Sequence, residues 1–309
     1  MNILLTHTPQ EREELFPDEQ LAQLLRLGKV VCNPFSHHLS QLELYRLCPE
    51  ADVIVSEWET GLERQYLMQN PRLKAFIRSG VEIRNVDFAA CEEYGVQVLN
   101  TPGGFAVPVS EFTVAALLCL QKSIFPYCSA LKEGKVLPPQ RTPELLGKTI
   151  AVVGLGFIGM RVARLCKDLG MLPIGVDVAE RETSFPCMAL DEALIQADVV
   201  TLHVELNQRT KNLLSRERIG RMKKGALLIN TARGALVDEE ALYEALVEGR
   251  LAGAALDVFS EEAPAELAEN KLVRLPNVLS TPHIAGYSYE AHQRNAQACV
   301  EHLRRLTAR

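Results

Sequence analysis

Short runs of apolar residues alternate along the chain with segments whose apolar positions recur every three or four residues. The runs predict strands at 3–6, 30–32, 52–56, 73–79 and 96–99. A second series follows at 149–153, 172–176, 199–204, 226–230, 254–258 and 278–280. The spacing between runs is helical, as in Leu21, Leu24 and Leu25 with Gly28 as a stop. A helix at 238–247 has Asp238 as N-cap, Glu239 and Glu240 in its first turn and Gly249 past its end. The pattern at 290–306 is a helix with no strand after it. Such alternation predicts parallel sheets covered by helices on both faces, and therefore an α/β chain with two doubly wound domains. The Pro-rich stretch at 136–143 has the composition of a linker, but the apolar helix at 111–120 before it already goes with the second series.

Composition agrees with this pattern. At about 150 residues per domain, 309 residues are a prior for two domains. With 47% hydrophobic and 23% charged residues, the chain is of the globular kind, and disordered, collagen and coiled-coil readings drop out. The net charge of −6 excludes the broad basic footprint of a nucleic-acid binder, so any bound anion must be met by local positive charge. Met1-Asn2-Ile3-Leu4-Leu5-Thr6 lacks the basic lead of a signal peptide, and no run approaches the ~18 apolar residues of a membrane helix. The eight cysteines contain no C-x-x-C pair and read as structural thiols. These features predict a cytoplasmic protein with no membrane partner. His37 and His38 are adjacent and so not a pair on one face, and no metal site is predicted.

The strongest local signal lies at the start of the second series. The apolar strand 149–153 runs directly into Gly154-Leu155-Gly156-Phe157-Ile158-Gly159, and Ile158, Val162, Leu165 and Leu169 then mark one helix face up to Gly170. This is strand, G-x-G-x-x-G, helix in the order that cradles a dinucleotide. Gly154 permits the tight turn, Gly156 lets a pyrophosphate approach the backbone, and Gly159 lets the helix pack closely on the strand. The unpaired N–H groups of the helix start then face the anion. The next strand ends at Asp177, whose carboxylate suits ribose hydroxyls and repels a 2′-phosphate, favouring NAD over NADP. Arg181, four residues on, works against that preference.

Four stretches extend the picture: Gly147-Lys-Thr-Ile-Ala-Val-Val-Gly-Leu-Gly-Phe-Ile-Gly, Ile229-Asn-Thr-Ala-Arg-Gly-Ala-Leu-Val-Asp, Leu256-Asp-Val-Phe and Ser280-Thr-Pro-His-Ile-Ala-Gly. With looser matches at 78–87 and 100–111, the chain resembles the NAD-dependent D-2-hydroxyacid dehydrogenases, the phosphoglycerate dehydrogenase-like family. The resemblance implies a flavodoxin-like substrate domain at 1–99 and 286–309, a Rossmann NAD-binding domain at 100–285, and a cleft that closes over the reactants. It also implies a homodimer, with 120–145 as a contact arm. The activity implied is hydride transfer between NAD(H) and a D-2-hydroxy or 2-oxo acid.

By the same resemblance the catalytic Arg, Glu and His fall on Arg233, Glu262 and His283. Reduction of a 2-oxoacid needs a hydride on the carbonyl carbon and a proton on its oxygen, and His exchanges a proton near neutral pH. A carboxylate beside it orients the ring, and an Arg fork can hold the substrate carboxylate. Glu261 rivals Glu262 on composition, and the displacement of the usual following proline by Ala263 marks a departure. The resemblance further places Asp257 on the nicotinamide carboxamide, Thr231, Ala232 and Gly286 along its pocket, and His203 at the adenosine. Phe157 and Ile158 join the three glycines as cofactor contacts. Two other readings remain open, an NAD-sensing interaction protein of corepressor type and a relative that oxidises a non-carbon substrate such as phosphite.

The substrate loop departs from the family pattern. It reads Arg78-Ser79-Gly80-Val81-Glu82-Ile83-Arg84-Asn85, with Glu82 where a glycine is usual and Arg84 where an acid is usual. Phe105 likewise replaces a common Asn. The loop backbone near Val81 and Glu82, following Gly80, can still present N–H groups to a carboxylate. Arg78, Glu82 and Arg84 predict a substrate with a second charged group; the competing expectation is that Arg84 turns to solvent or pairs with Glu82.

Overall fold

The computed structural model describes residues 1–307. Two compact units are present, 1–105 with 287–309 and 106–286. The first contains β1 (Asn2–Leu5), β2 (Lys29–Cys32), β3 (Val53–Ser56), β4 (Ala75–Arg78) and β5 (Gln97–Asn100). They form one parallel sheet in the order β2-β1-β3-β4-β5. This is the flavodoxin-like order, and the strand sequence reverses between β1 and β3. Alternate residues feed opposite cores: Ile3, Leu5, Val53 and Val55 face one, and Leu4 and Ile54 the other. The helix Tyr289–Thr307 closes the first of these cores with Ala296, Cys299, Val300 and Leu303, all buried. Burial at that level is worth about 1.5–3 kcal/mol for each large side chain.

The second unit contains β6 (Thr149–Val153), β7 (Leu172–Val176), β8 (Val199–Leu202), β9 (Leu227–Asn230), β10 (Gly253–Leu256) and β11 (Val278–Ser280). Its parallel sheet runs β11-β10-β9-β8-β6-β7. A single parallel bridge between Gly175 and Cys187 continues it beyond β7, as the remnant of an outer strand. Counting that bridge, the order is the doubly wound one in which the crevice falls between β6 and β8. Ala151 and Val153 point into one core and Ile150 and Val152 into the other, so both faces are covered.

Every strand expected from the apolar runs is present, with ends displaced by at most two residues. The boundary between units differs from the sequence expectation. Residues 100–105 stay with the first unit, tied there by Thr101 Oγ1, 3.2 Å from Asn295 Oδ1, and by Arg294 donating to Gly104 O. Gly286 stays with the second. The Pro-rich stretch lies inside the second unit and is not a linker. The helix before it, Ala106–Gln121, is a core helix with Val109, Thr113, Ala116 and Leu117 buried. Among the described residues no single helix is long and apolar enough to cross a membrane.

Candidate active site

The glycine turn is shaped for a phosphate. Gly154 sits at φ +95°, and a Cβ there would lie 2.4 Å from His203 O. A Cβ on Gly159 would lie 1.8 Å from Gly154 O, so the helix Phe157–Asp168 can reach the strand only without a side chain. A Cβ on Gly156 would meet nothing within 4 Å, and no side chain caps this helix start. The turn therefore offers open space and unpaired N–H groups at the positive end of a helix, which fits a pyrophosphate. Ile158 packs partly into the core, whereas Phe157 is exposed.

Asp177 closes the same turn. Its Oδ2 accepts the Leu155 N–H at 2.8 Å and its Oδ1 accepts the Ala179 N–H at 2.9 Å. Burial opposes its charge, but these two donors and the Arg181 guanidinium, 3.5 Å away, hold the carboxyl below its ordinary range. His203 is half-buried beside the turn, with Nε2 2.9 Å from Thr201 Oγ1 and Nδ1 without a partner. Burial pushes its pKa down to about 3, so the ring is neutral.

The C-terminal ends of β9, β10 and β11 assemble a second cluster. Asn230, buried at the end of β9, donates through Nδ2 to Arg233 O and accepts the Ala232 N–H, closing a tight turn that presents Arg233. Gly234 presses this turn against the next loop, since a Cβ there would lie 1.9 Å from the Phe259 carbonyl carbon. That loop carries Glu262, whose Oε1 accepts the Phe259 N–H and whose Oε2 is 2.9 Å from His283 Nδ1. Of the two neighbouring acids, Glu262 makes the contact with His283.

His283 adopts φ +57°, an unfavourable conformation for a non-glycine residue. It is held there by Asp257, whose backbone oxygen accepts the His283 N–H at 2.7 Å. The buried Asp257 carboxylate accepts Thr281 Oγ1 at 2.6 Å, Ile284 N at 2.8 Å and Ala285 N at 2.8 Å. Both carboxylate oxygens thus accept donors from the loop 281–285, so Asp257 also holds the backbone that carries His283. Thr231 is buried against Thr113, with their hydroxyls 3.2 Å apart, Ala232 is half-buried, and Gly286 directly follows the pinned loop.

In the first unit the substrate loop differs from expectation. Arg78 is wholly buried, donating to Ser56 Oγ at 3.1 Å and Arg84 O at 2.9 Å, with its guanidinium 5.3 Å from the Phe76 ring centre. Desolvation lowers its pKa to about 10 despite Glu57 and Glu59. It braces the loop from inside, with Nε left buried and without a partner. Arg84 pairs with Glu82 at 2.7 Å and lies 4.7 Å over the Trp58 ring, which is the competing expectation for that pair. Gly80 is buried and accepts the Thr101 N–H, while Val81 is exposed. Phe105 meets His292 edge-on. Sequence reasoning did not single out Asn230; the signal available was an Asn closing a strand before a turn.

Comparison with known proteins accords with this geometry. Residues 114–285 match the family model described as D-isomer specific 2-hydroxyacid dehydrogenase, NAD binding domain. A hydroxypyruvate reductase from Thermotoga maritima is 38% identical over 93% of this chain and 94% of its own length. The chain spans about half the length of the D-3-phosphoglycerate dehydrogenases it also matches. Among solved structures, an acyclic imino acid reductase in complex with NADPH and D-Arg superposes with a TM-score of 0.88 at 27% identity, covering 100% of this chain and 97% of that one. A D-lactate dehydrogenase from Aquifex aeolicus, complexed with NAD and lactic acid, gives 0.83 at 30% identity, covering 100% and 96%. The chain belongs to the D-isomer specific 2-hydroxyacid dehydrogenase family and is an NAD-dependent oxidoreductase acting on 2-hydroxy acids.

Proposed function

We propose that the chain reduces a small 2-oxoacid of the hydroxypyruvate or glyoxylate kind to the D-2-hydroxyacid. The observation that carries this reading is the His283–Glu262 pair at 2.9 Å, on a loop pinned by Asp257 and next to the Arg233 turn. Gly154, Gly156 and Gly159 would hold the dinucleotide, with Asp177 at the ribose, and the cofactor so held would supply the hydride. Arg233 grips the substrate carboxylate with its planar fork. Glu262 fixes the His283 ring through Nδ1, leaving Nε2 to give its proton to the carbonyl oxygen as the alkoxide charge develops. Residues 106–286 act as the nucleotide domain and the first unit as the substrate domain.

The likeness to hydroxypyruvate reductase over nearly both lengths supports the substrate class. Because Glu82 and Arg84 pair with each other, a second charge on the substrate is not part of the proposal. A panel of hydroxypyruvate, glyoxylate, pyruvate and 2-oxoglutarate, assayed with NADH, tests it. The proposal expects the highest kcat/KM on the first two, and little change in that ranking for Arg84→Ala. Turnover of 2-oxoglutarate above hydroxypyruvate, abolished in Arg84→Ala, would refute it. A homodimer is proposed on the exposed Ile124, Phe125, Leu131, Val136 and Leu137, an apolar series that one chain leaves in solvent. Light scattering at the mass of one chain would refute that part.

A further inference from the structure

The first unit carries a cluster that the hydride chemistry does not use. At the C-terminal ends of β1, β2 and β3, where the strand order reverses, Glu11, His38 and Glu57 bring one ligand atom each within 4.8 Å of one another. His38 Nε2 is 3.0 Å from Glu11 Oε1 and 3.9 Å from Glu57 Oε2. Each carboxylate is held from behind. Glu11 Oε2 accepts the Thr8 N–H at 2.9 Å, and Glu57 accepts the N–H groups of Glu59 and Thr60. Glu57 is 2% exposed, an unusual place for a carboxylate.

A second observation points into the same place. The β1–β3 register pairs Ile3 with Val53 and Leu5 with Val55. Carried on by two residues, it sets His7 beside Glu57 on the same face. His7 is wholly buried, and neither ring nitrogen has a hydrogen-bond partner. An orphaned buried polar group costs about 1–3 kcal/mol, so a ligand that meets it is favoured.

We propose that Glu11, His38 and Glu57 bind a divalent transition-metal ion, whose remaining positions are filled by water, one such water serving His7. Two carboxylates and a neutral imidazole balance a divalent charge. Ligands at about 2.0–2.2 Å from such an ion stand roughly 3–3.5 Å apart; the three atoms here lie within 4.8 Å of one another, so Glu11 and the exposed His38 would close on the buried Glu57 by about 1 Å when the ion binds. Backbone donors behind both carboxylates are the outer support that metal ligands require. The ion cross-links three loops at the crevice where ligands of this sheet type bind.

The test uses the full chain, stripped with a chelator and titrated with Mn2+, an ion for which thiols have little affinity. The paramagnetic resonance signal of free aquo-Mn2+ reports binding. One equivalent should bind per chain, and His38→Ala and Glu57→Gln should each weaken it at least about tenfold. His38 lies on an exposed loop, so its variant keeps the fold, which an unchanged melting temperature would verify. Free signal rising in step with the first additions overturns the proposal, as does wild-type affinity in His38→Ala. Guanidinium binding at this cluster in the absence of Mn2+ binding also overturns it, and would assign the acids to an organic cation.

Discussion

Replacement of Asp257 by Asn probes the device that places His283. The carboxylate accepts three donors, two on Oδ1 and one on Oδ2, and is 1% exposed. An Asn keeps one acceptor oxygen. With that oxygen serving Thr281 and Ile284, its amide N–H₂ faces the Ala285 N–H, donor against donor. One buried N–H is then unpaired, at about 1–3 kcal/mol, and the surviving bonds lose their charge assistance, about 1 kcal/mol more. The expected destabilisation is about 3 kcal/mol, read as a fall in the urea midpoint at constant slope. Freed from its strained φ, His283 should drift from Glu262, so kcat falls at least tenfold while NADH affinity holds. A variant within about 0.5 kcal/mol of the parent, with kcat preserved and the KM for NADH raised, would refute the reasoning and return Asp257 to the nicotinamide.

Other expectations concern the cofactor turn and buried histidine. Gly156→Ala meets no protein atom and loses only the N-cap preference for Gly over Ala, so stability should fall by no more than about 1 kcal/mol while NADH affinity drops sharply, as fluorescence titration would show. Asp177→Ala removes the acid and leaves Arg181 to meet a 2′-phosphate, so the NADPH to NADH ratio of kcat/KM should rise at least about tenfold. An unchanged ratio would contradict that role. His7 has its pKa lowered by burial from 6.5 to about 4, so the unfolded chain takes up the proton first as pH falls. Stability should therefore be full above pH 6.5, decline through the interval down to about 4, and level off below it, a loss of about 3 kcal/mol. His7→Phe should flatten that decline in melting experiments.

The fold was legible because both sheets are parallel and buried, so each strand is a continuous apolar run. The glycine turn was legible for a related reason: its three glycines answer to separate backbone constraints that a Cβ measurement can check. The partners of Arg78 were not legible, because a guanidinium at a loop start says nothing of where it folds back, and only the structure reveals Ser56 and the Arg84 carbonyl. The loop contacts of Asp257 were hidden for a similar reason. Its three donors lie 24 to 28 residues away along the chain, and no local spacing encodes them. The Glu11, His38 and Glu57 cluster was invisible because its members follow three different strands, joined only by the order β2-β1-β3.

The central claim is that His283, oriented by Glu262, delivers the proton that completes reduction. The direct measurement is kcat for hydroxypyruvate in His283→Ala and Glu262→Gln, followed by loss of the reduced-nicotinamide absorbance, with NADH affinity measured in parallel. The account predicts that kcat drops by about 10²–10⁴ in His283→Ala and less in Glu262→Gln, with NADH affinity unchanged in both. Full turnover by His283→Ala would contradict it.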